Sequence, residues 1–116
     1  MDNNEKKVIG LIERVKVIGI KEKEVSAKID TGADISSMDI HLASELQLGP
    51  ILDTKKIISS EGKSVRPIIK ATIVIKNKRI KARFNLSDRQ NMKYKLLLGK
   101  NILKRGFLID PSKKWN

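Results

Sequence analysis

The stretch Ala27-Lys28-Ile29-Asp30-Thr31-Gly32-Ala33-Asp34 decides how this chain reads. Val25, Ala27 and Ile29 alternate with Ser26, Lys28 and Asp30, which is the period of a strand with one buried face. That strand delivers a carboxylate straight into a turn-forming cluster, followed by a hydroxyl and a glycine. Taken alone, Asp-Thr-Gly is a tripeptide of ordinary turns, and it acquires chemistry only if two copies meet. Two Asp carboxyls a few ångströms apart do not both ionise and so share a proton. One then serves as general base on a water while the other polarises a carbonyl. The Thr31 hydroxyl suits a hydrogen bond across a two-fold axis, and Gly32 lets the backbone come close to the carboxylates. The chain holds one Asp-Thr-Gly and no Asp-Ser-Gly, so a single copy carries half of such a site.

Outward from this stretch the pattern is mostly strand. Val8 to Val17, rich in Val, Ile and Leu and interrupted by Gly10, reads as one strand. Ile35 to Met38 reads as a short strand, after which Asp39 can cap a helix over Ile40 to Leu46 that Gly49-Pro50 stops. Lys55–Ser59 and Ser64–Ile69 flank Ser60-Glu61-Gly62-Lys63, a hairpin tip. Ile69, Ala71, Ile73 and Ile75 alternate, a turn falls at Asn77-Lys78, and Ile80, Ala82, Phe84 and Leu86 alternate in turn. Leu96-Leu97-Leu98 suits a strand buried on both sides. Gly99 ends it, Lys100 to Arg105 form a turn or two of helix before Gly106, and Phe107-Leu108-Ile109 is a last strand. The expectation is an all-β protein with one or two short helices.

The 116 residues suit one domain over 1–116, with residues 1–6 expected to be disordered. A chain of this size buries roughly 65% of its unfolded surface. With two Phe, one Trp and one Tyr, the core must rest on Ile, Leu and Val. The lack of cysteine excludes disulfides and thiolate metal sites, and a single histidine, His41, argues against a His-rich zinc site. No cofactor or metal is expected, since HExxH and a phosphate-cradling glycine loop are both missing. The apolar runs fall far short of the ~18 residues of a membrane span, and the start lacks a signal peptide's apolar region, so no membrane contact and a cytoplasmic location are expected. Charge is lopsided: residues 1–60 carry nine basic and ten acidic side chains, residues 61–116 sixteen basic and three acidic. Such asymmetry suits either a polyanionic partner or solvated strand faces. Scarce aromatics disfavour base stacking, which leaves nucleic acid the less favoured partner.

Several motifs, in order, resemble the retropepsin-like aspartic proteases. These are Asp30-Thr31-Gly32-Ala33 after an apolar strand, and Leu96-Leu97-Leu98-Gly99-Lys100-Asn101 leading into a short helix, with a flap-like hairpin between them. Ser59-Ser60-Glu61-Gly62 with Arg66-Pro67, Leu86-Ser87-Asp88-Arg89, Met92-Lys93-Tyr94 and Ile109-Asp110-Pro111-Ser112 are similar to a small prokaryotic branch. That branch is labelled ATP-dependent zinc proteases and is associated with glutamate ligases. The resemblance implies a closed retropepsin-like barrel working as a homodimer. It implies Asp30 as the catalytic carboxylate with Thr31 and Gly32 in support. Ala33 and Asp34 would line the substrate track under a flap of Ser59, Ser60, Glu61, Gly62 and Lys63. Lys100 stands where the family usually has Arg, losing a bidentate fork while keeping the charge, so that Asp34 and Lys100 can form a reduced bridge.

The leading expectation is an aspartic endopeptidase acting on peptide or protein substrates. An acidic tail is the expected substrate, with Lys63 and Arg66 beside the flap tip to meet it. The alternatives are a retropepsin-like binding or regulatory module with little proteolysis, and a basic protein associated with RNA or the ribosome.

Overall fold

The computed structural model describes residues 5–60 and 62–113. Its elements are β1 (Lys7–Ile9), β2 (Ile12–Ile18), β3 (Glu22–Ile29), β4 (Ser36–Asp39), α1 (Ile40–Glu45), β5 (Asp53–Ser59), β6 (Gly62–Ile75), β7 (Lys78–Ser87), β8 (Leu96–Leu98), α2 (Lys100–Leu103) and β9 (Phe107–Ile109). Six strands run β2-β3-β8-β4-β7-β6, and β6 returns to β2 through Lys16↔Val74, Val17↔Ile73 and Ile18↔Thr72, so the sheet closes into a barrel. Closure removes the free edges that an open sheet would leave unpaired. Inside, aliphatic side chains dominate as the composition demands: Val15, Val17, Ala27, Ile69, Ile73, Ile80, Leu96 and Leu98 are buried around Met38 and Phe84. No helix among the described residues is long and apolar enough to cross a membrane.

Three local readings change. Val8 to Val17 is two strands rather than one. The chain turns at Gly10, whose amide donates to Glu13 Oε2 at 2.7 Å, and β1 leaves the barrel to pair in parallel with β9. Glu13 is 3% exposed and also meets Lys113 Nζ at 3.1 Å, so a buried carboxylate ties this corner to the end of the chain. The second change joins Ser64–Ile69 and the alternating stretch Ile69 to Ile75 into one strand, β6, that runs through Pro67. Residues 62–68 pair with β5, and only from Ile68 onward does β6 also pair with β7. Proline lacks an amide hydrogen but is tolerated where one strand edge is unpaired. Third, the β6–β7 turn lies at Lys76-Asn77, with φ of 51° and 63° between paired Ile75 and Lys78. That is the two-residue geometry that follows strand twist. Of the expected disordered start, residues 1–4 lie outside the described residues, and Glu5 and Lys6 lead into β1.

Asp39 caps α1 as expected, its Oδ2 accepting the Leu42 amide at 3.3 Å. The β5–β6 hairpin projects beyond the barrel, since β5 pairs with β6 alone.

Candidate active site

Strands β3 and β8 run parallel in the register Ala27↔Leu96, Lys28↔Leu97 and Ile29↔Leu98, so the chain leaves both at the same end of the barrel. The Asp30 amide still donates to Leu98 O at 2.9 Å, and there the two following loops meet. Lys100 N donates to Ala33 O at 2.8 Å and Asn101 N to Asp34 O at 3.1 Å. Contact this close requires glycine at 99. A Cβ there would lie 2.7 Å from Ala33 O and 2.9 Å from the carbonyl carbon and oxygen of Ile35, all backbone atoms that no rotamer change can move.

Beneath this contact lies a polar knot. Asn101 Oδ1 accepts from Ser36 N at 3.0 Å and Ser36 Oγ at 2.8 Å, while Ser36 Oγ accepts the Gly99 amide at 2.9 Å. Asn101 Nδ2 donates to Arg83 O at 2.9 Å, anchoring the knot to β7. Fully satisfied buried networks of this kind hold a loop in one geometry. They fix Asp30, which is partly exposed and whose Oδ1 accepts the Gly32 amide at 2.9 Å. Thr31 and Gly32 are exposed beside it. Asp34 and Lys100 form an exposed ion pair at 2.9 Å. The hydrogen bond and the charge of Lys100 hold the Asp34 carboxyl below its ordinary pKa.

A cavity of about 570 Å³ opens in front of Asp30. Gly32, Ala33 and Asp34 line it with Asp30, as the sequence predicts, whereas Thr31 does not. The hairpin contributes its shaft rather than its tip. Lys55, Ile57 and Arg66 face the cavity, while Ser60, Gly62 and Lys63 are exposed at the tip and do not line it. Ser59 pairs with Gly62 at the end of β5, and Glu61 lies outside the described residues.

Two arginines give the cavity its character. Arg66 sits opposite Lys55 and donates from Nη1 to Asn85 Oδ1 at 3.3 Å. Asn85 in turn accepts Ser37 Oγ at 2.8 Å. Arg89 projects from the loop between β7 and β8, held by its amide to Asp39 Oδ1 at 2.8 Å and its Nε to Tyr94 O at 3.0 Å. Burial, then the like charge of Arg66, lowers the Arg89 pKa against the opposing pull of Asp39 and Asp30. Among the described residues, neither guanidinium has a carboxylate within ion-pair distance. Sequence reasoning missed a role for Arg89, Ser36, Asn85 and Asn101, and it put Arg66 beside the flap tip rather than in the cavity wall. The register of a hairpin and the far end of a loop are tertiary facts. Asn101, inside the Gly-Lys-Asn motif, and Arg89, at the end of Leu86-Ser87-Asp88-Arg89, carried a signal.

Asp39, His41 and Asp88 are the described residues that cluster as metal ligands would. They do not fit a resident zinc. Asp39 Oδ1 already accepts Arg89 N and lies 3.2 Å from His41 Nδ1, while Oδ2 accepts Leu42 N. Burial raises the Asp39 pKa, but these hydrogen bonds outweigh it and leave the carboxyl below its ordinary value.

The family model of the retropepsin-like aspartic endopeptidase RimB matches residues 41–115, well over half of the chain. The chain belongs to the RimB-like family. The matched span begins after the Asp-Thr-Gly turn, so the reading of residues 30–34 rests on the geometry above. Solved structures share the barrel across nearly the whole chain. The Legionella pneumophila protein Lpg0085, of unknown function, is 20% identical with a TM-score of 0.65, over 95% of this chain and 97% of its own. The protease of EIAV bound to the inhibitor HBY-793 is 24% identical with a TM-score of 0.68, over 90% and 91%. Simian foamy virus (mac) protease is 16% identical with a TM-score of 0.60, over 80% and 91%. At these identities the likeness carries the fold, the mainly β, closed barrel of retropepsin-like proteases. No curated protein sequence matches the chain.

Proposed function

We propose that the chain is an aspartic endopeptidase, active as a C2 homodimer in which two Asp30 side chains form the catalytic dyad. The observation that carries this reading is the partly exposed Asp30 carboxyl, held on a braced turn at the mouth of a peptide-sized cavity. In the dimer one Asp30 is ionised and the other protonated. The ionised one takes a proton from water as it attacks the scissile carbonyl, and the protonated one donates a hydrogen bond to the carbonyl oxygen. Thr31 braces the two loops across the axis, and the hairpin closes over the peptide to exclude water.

An exposed apolar strip near the Asp30 turn supports a second copy there. Leu11, 49% exposed, accepts the Ile29 amide through its carbonyl, so it sits beside the base of that turn. Val8 and Leu108, also exposed, face each other across β1 and β9. The cavity wall of Arg66, Arg89, Lys55 and Lys56 supports an acidic peptide as substrate.

The test is a cleavage assay on matched glutamate-rich, neutral and basic peptides, with Asp30→Asn alongside and the oligomeric state measured by sedimentation. The expected result is cleavage favouring the acidic peptide at mildly acidic pH, unaffected by chelators and abolished by Asp30→Asn. An Asp30→Asn variant that cleaves as fast as the unaltered protein refutes the enzyme. Absence of cleavage under all conditions would favour a binding module with this fold.

A further inference from the structure

We propose that the outer face of β6, β7 and α2 is a docking surface for the phosphate backbone of a nucleic-acid duplex. Lys70 on β6 stands directly opposite Arg83 on β7, and Thr72 opposite Lys81. Arg79, Lys81 and Arg83 recur at every second position of β7, all exposed. Lys104 and Arg105, at the end of α2, join Lys70, Lys81 and Arg83 around a shallow hollow of about 380 Å³ that no Asp or Glu lines. Among the described residues none of these cations has a carboxylate within ion-pair distance. Like charges placed directly across a strand pair are destabilising by themselves. The face therefore carries a repulsion that a polyanion relieves.

The occupant follows from what the face lacks. The cores of protein interfaces are apolar and depleted of charge, and this hollow supplies arginines with no aromatic or Met anchor beside them. None of the large exposed apolar side chains, such as Leu11, Ile58, Val65 and Leu108, lines the hollow. No aromatic side chain lines the hollow, so bases of a single strand have nothing to stack on. Binding must come from charge alone, and a duplex is the denser polyanion, with one charge per ~1.7 Å of axis. Outward side chains on one strand step by roughly 6.7 Å, so Arg79, Lys81 and Arg83 reach successive phosphates without entering a groove. The hollow shares Ile35 with the cavity in front of Asp30 and uses none of its charged residues. This inference therefore stands apart from the peptidase reading.

Fluorescence anisotropy with a short RNA duplex and a DNA duplex of equal length tests it. Both are expected to bind within a few-fold of each other, because nothing on the face reads a base or a sugar. Six phosphate contacts give a log K against log salt slope of about −5.4. The variant carrying Lys70→Gln, Arg83→Gln and Lys104→Gln should bind more weakly with a slope shallower by nearly 3, and Lys81→Gln alone by about 1. Asp30→Asn should bind as the unaltered protein does. No duplex binding at low salt, an unchanged slope in both variants, or loss of binding in Asp30→Asn would overturn the proposal. So would an acidic peptide of matched charge that binds as tightly and competes, because the occupant would then be a protein.

Discussion

Replacing Asn101 with alanine removes one oxygen on which two donors of a fully buried residue depend. Ser36 has no exposed surface, and both its amide and its hydroxyl donate to Asn101 Oδ1, at 3.0 and 2.8 Å. The hydroxyl can rotate, although it must keep a lone pair on the Gly99 amide at 2.9 Å; the Ser36 amide cannot move at all. A buried donor left unsatisfied costs about 1–3 kcal/mol, and a bond simply lost about 0.5–1.5 kcal/mol. With the more exposed bond to Arg83 O as the smallest contribution, Asn101→Ala should destabilise the fold by about 2–4 kcal/mol. For a chain of this size that lowers Tm by roughly 8–16 °C. Urea denaturation at one fixed protein concentration measures it, since dimerisation would make stability depend on concentration. Asn101→Asp keeps the acceptor for Ser36 but turns a carboxylate oxygen toward Arg83 O, so it should not recover the stability of the parent. An alanine variant within ~0.5 kcal/mol of the parent would refute the reasoning.

Other substitutions probe the remaining supports of the site. Gly99→Ala drives a Cβ into the Ala33 and Ile35 backbone, so it should cost about 1–3 kcal/mol and lower cleavage more than stability; thermal melts and kcat/KM measured together check this. Asp39 is held below its ordinary pKa when folded, so its contribution is present above pH ~4 and is lost as pH falls through the folded value. The gap in urea midpoint between Asp39→Asn and the parent should therefore be wide at pH 6 and shrink towards pH 3, and a constant gap would count against that account. Leu11→Glu puts a charge on the proposed two-fold face. It should leave the melting profile of a monomer intact while sedimentation shows loss of the dimer and cleavage disappears.

Strand periodicity, the Asp39 cap, the late Leu96–Leu98 strand and the Asp34–Lys100 pair were all legible in the sequence. Each depends on residues a few positions apart, or on a motif whose spacing is kept. A two-residue period places Ile73, Ile80 and Phe84 inside whatever the strands pair with, and an Asp before an apolar helical face caps it wherever the helix goes. Even the basic second half of the chain announced a charged outer surface. What it did not announce is which strands meet. That β1 leaves the barrel for β9 depends on Glu13 being buried against Gly10 and Lys113, a hundred residues apart in the chain for the last pair. That Arg66 and Arg89 share one cavity depends on a hairpin register and on a loop tied back to Asp39. Ser36 and Asn101 are ordinary polar residues until the parallel alignment of β3 with β8 brings their loops into contact. Local pattern follows from the chemistry of neighbouring side chains, whereas the site is made by long-range pairing, whose energy no short window of sequence contains.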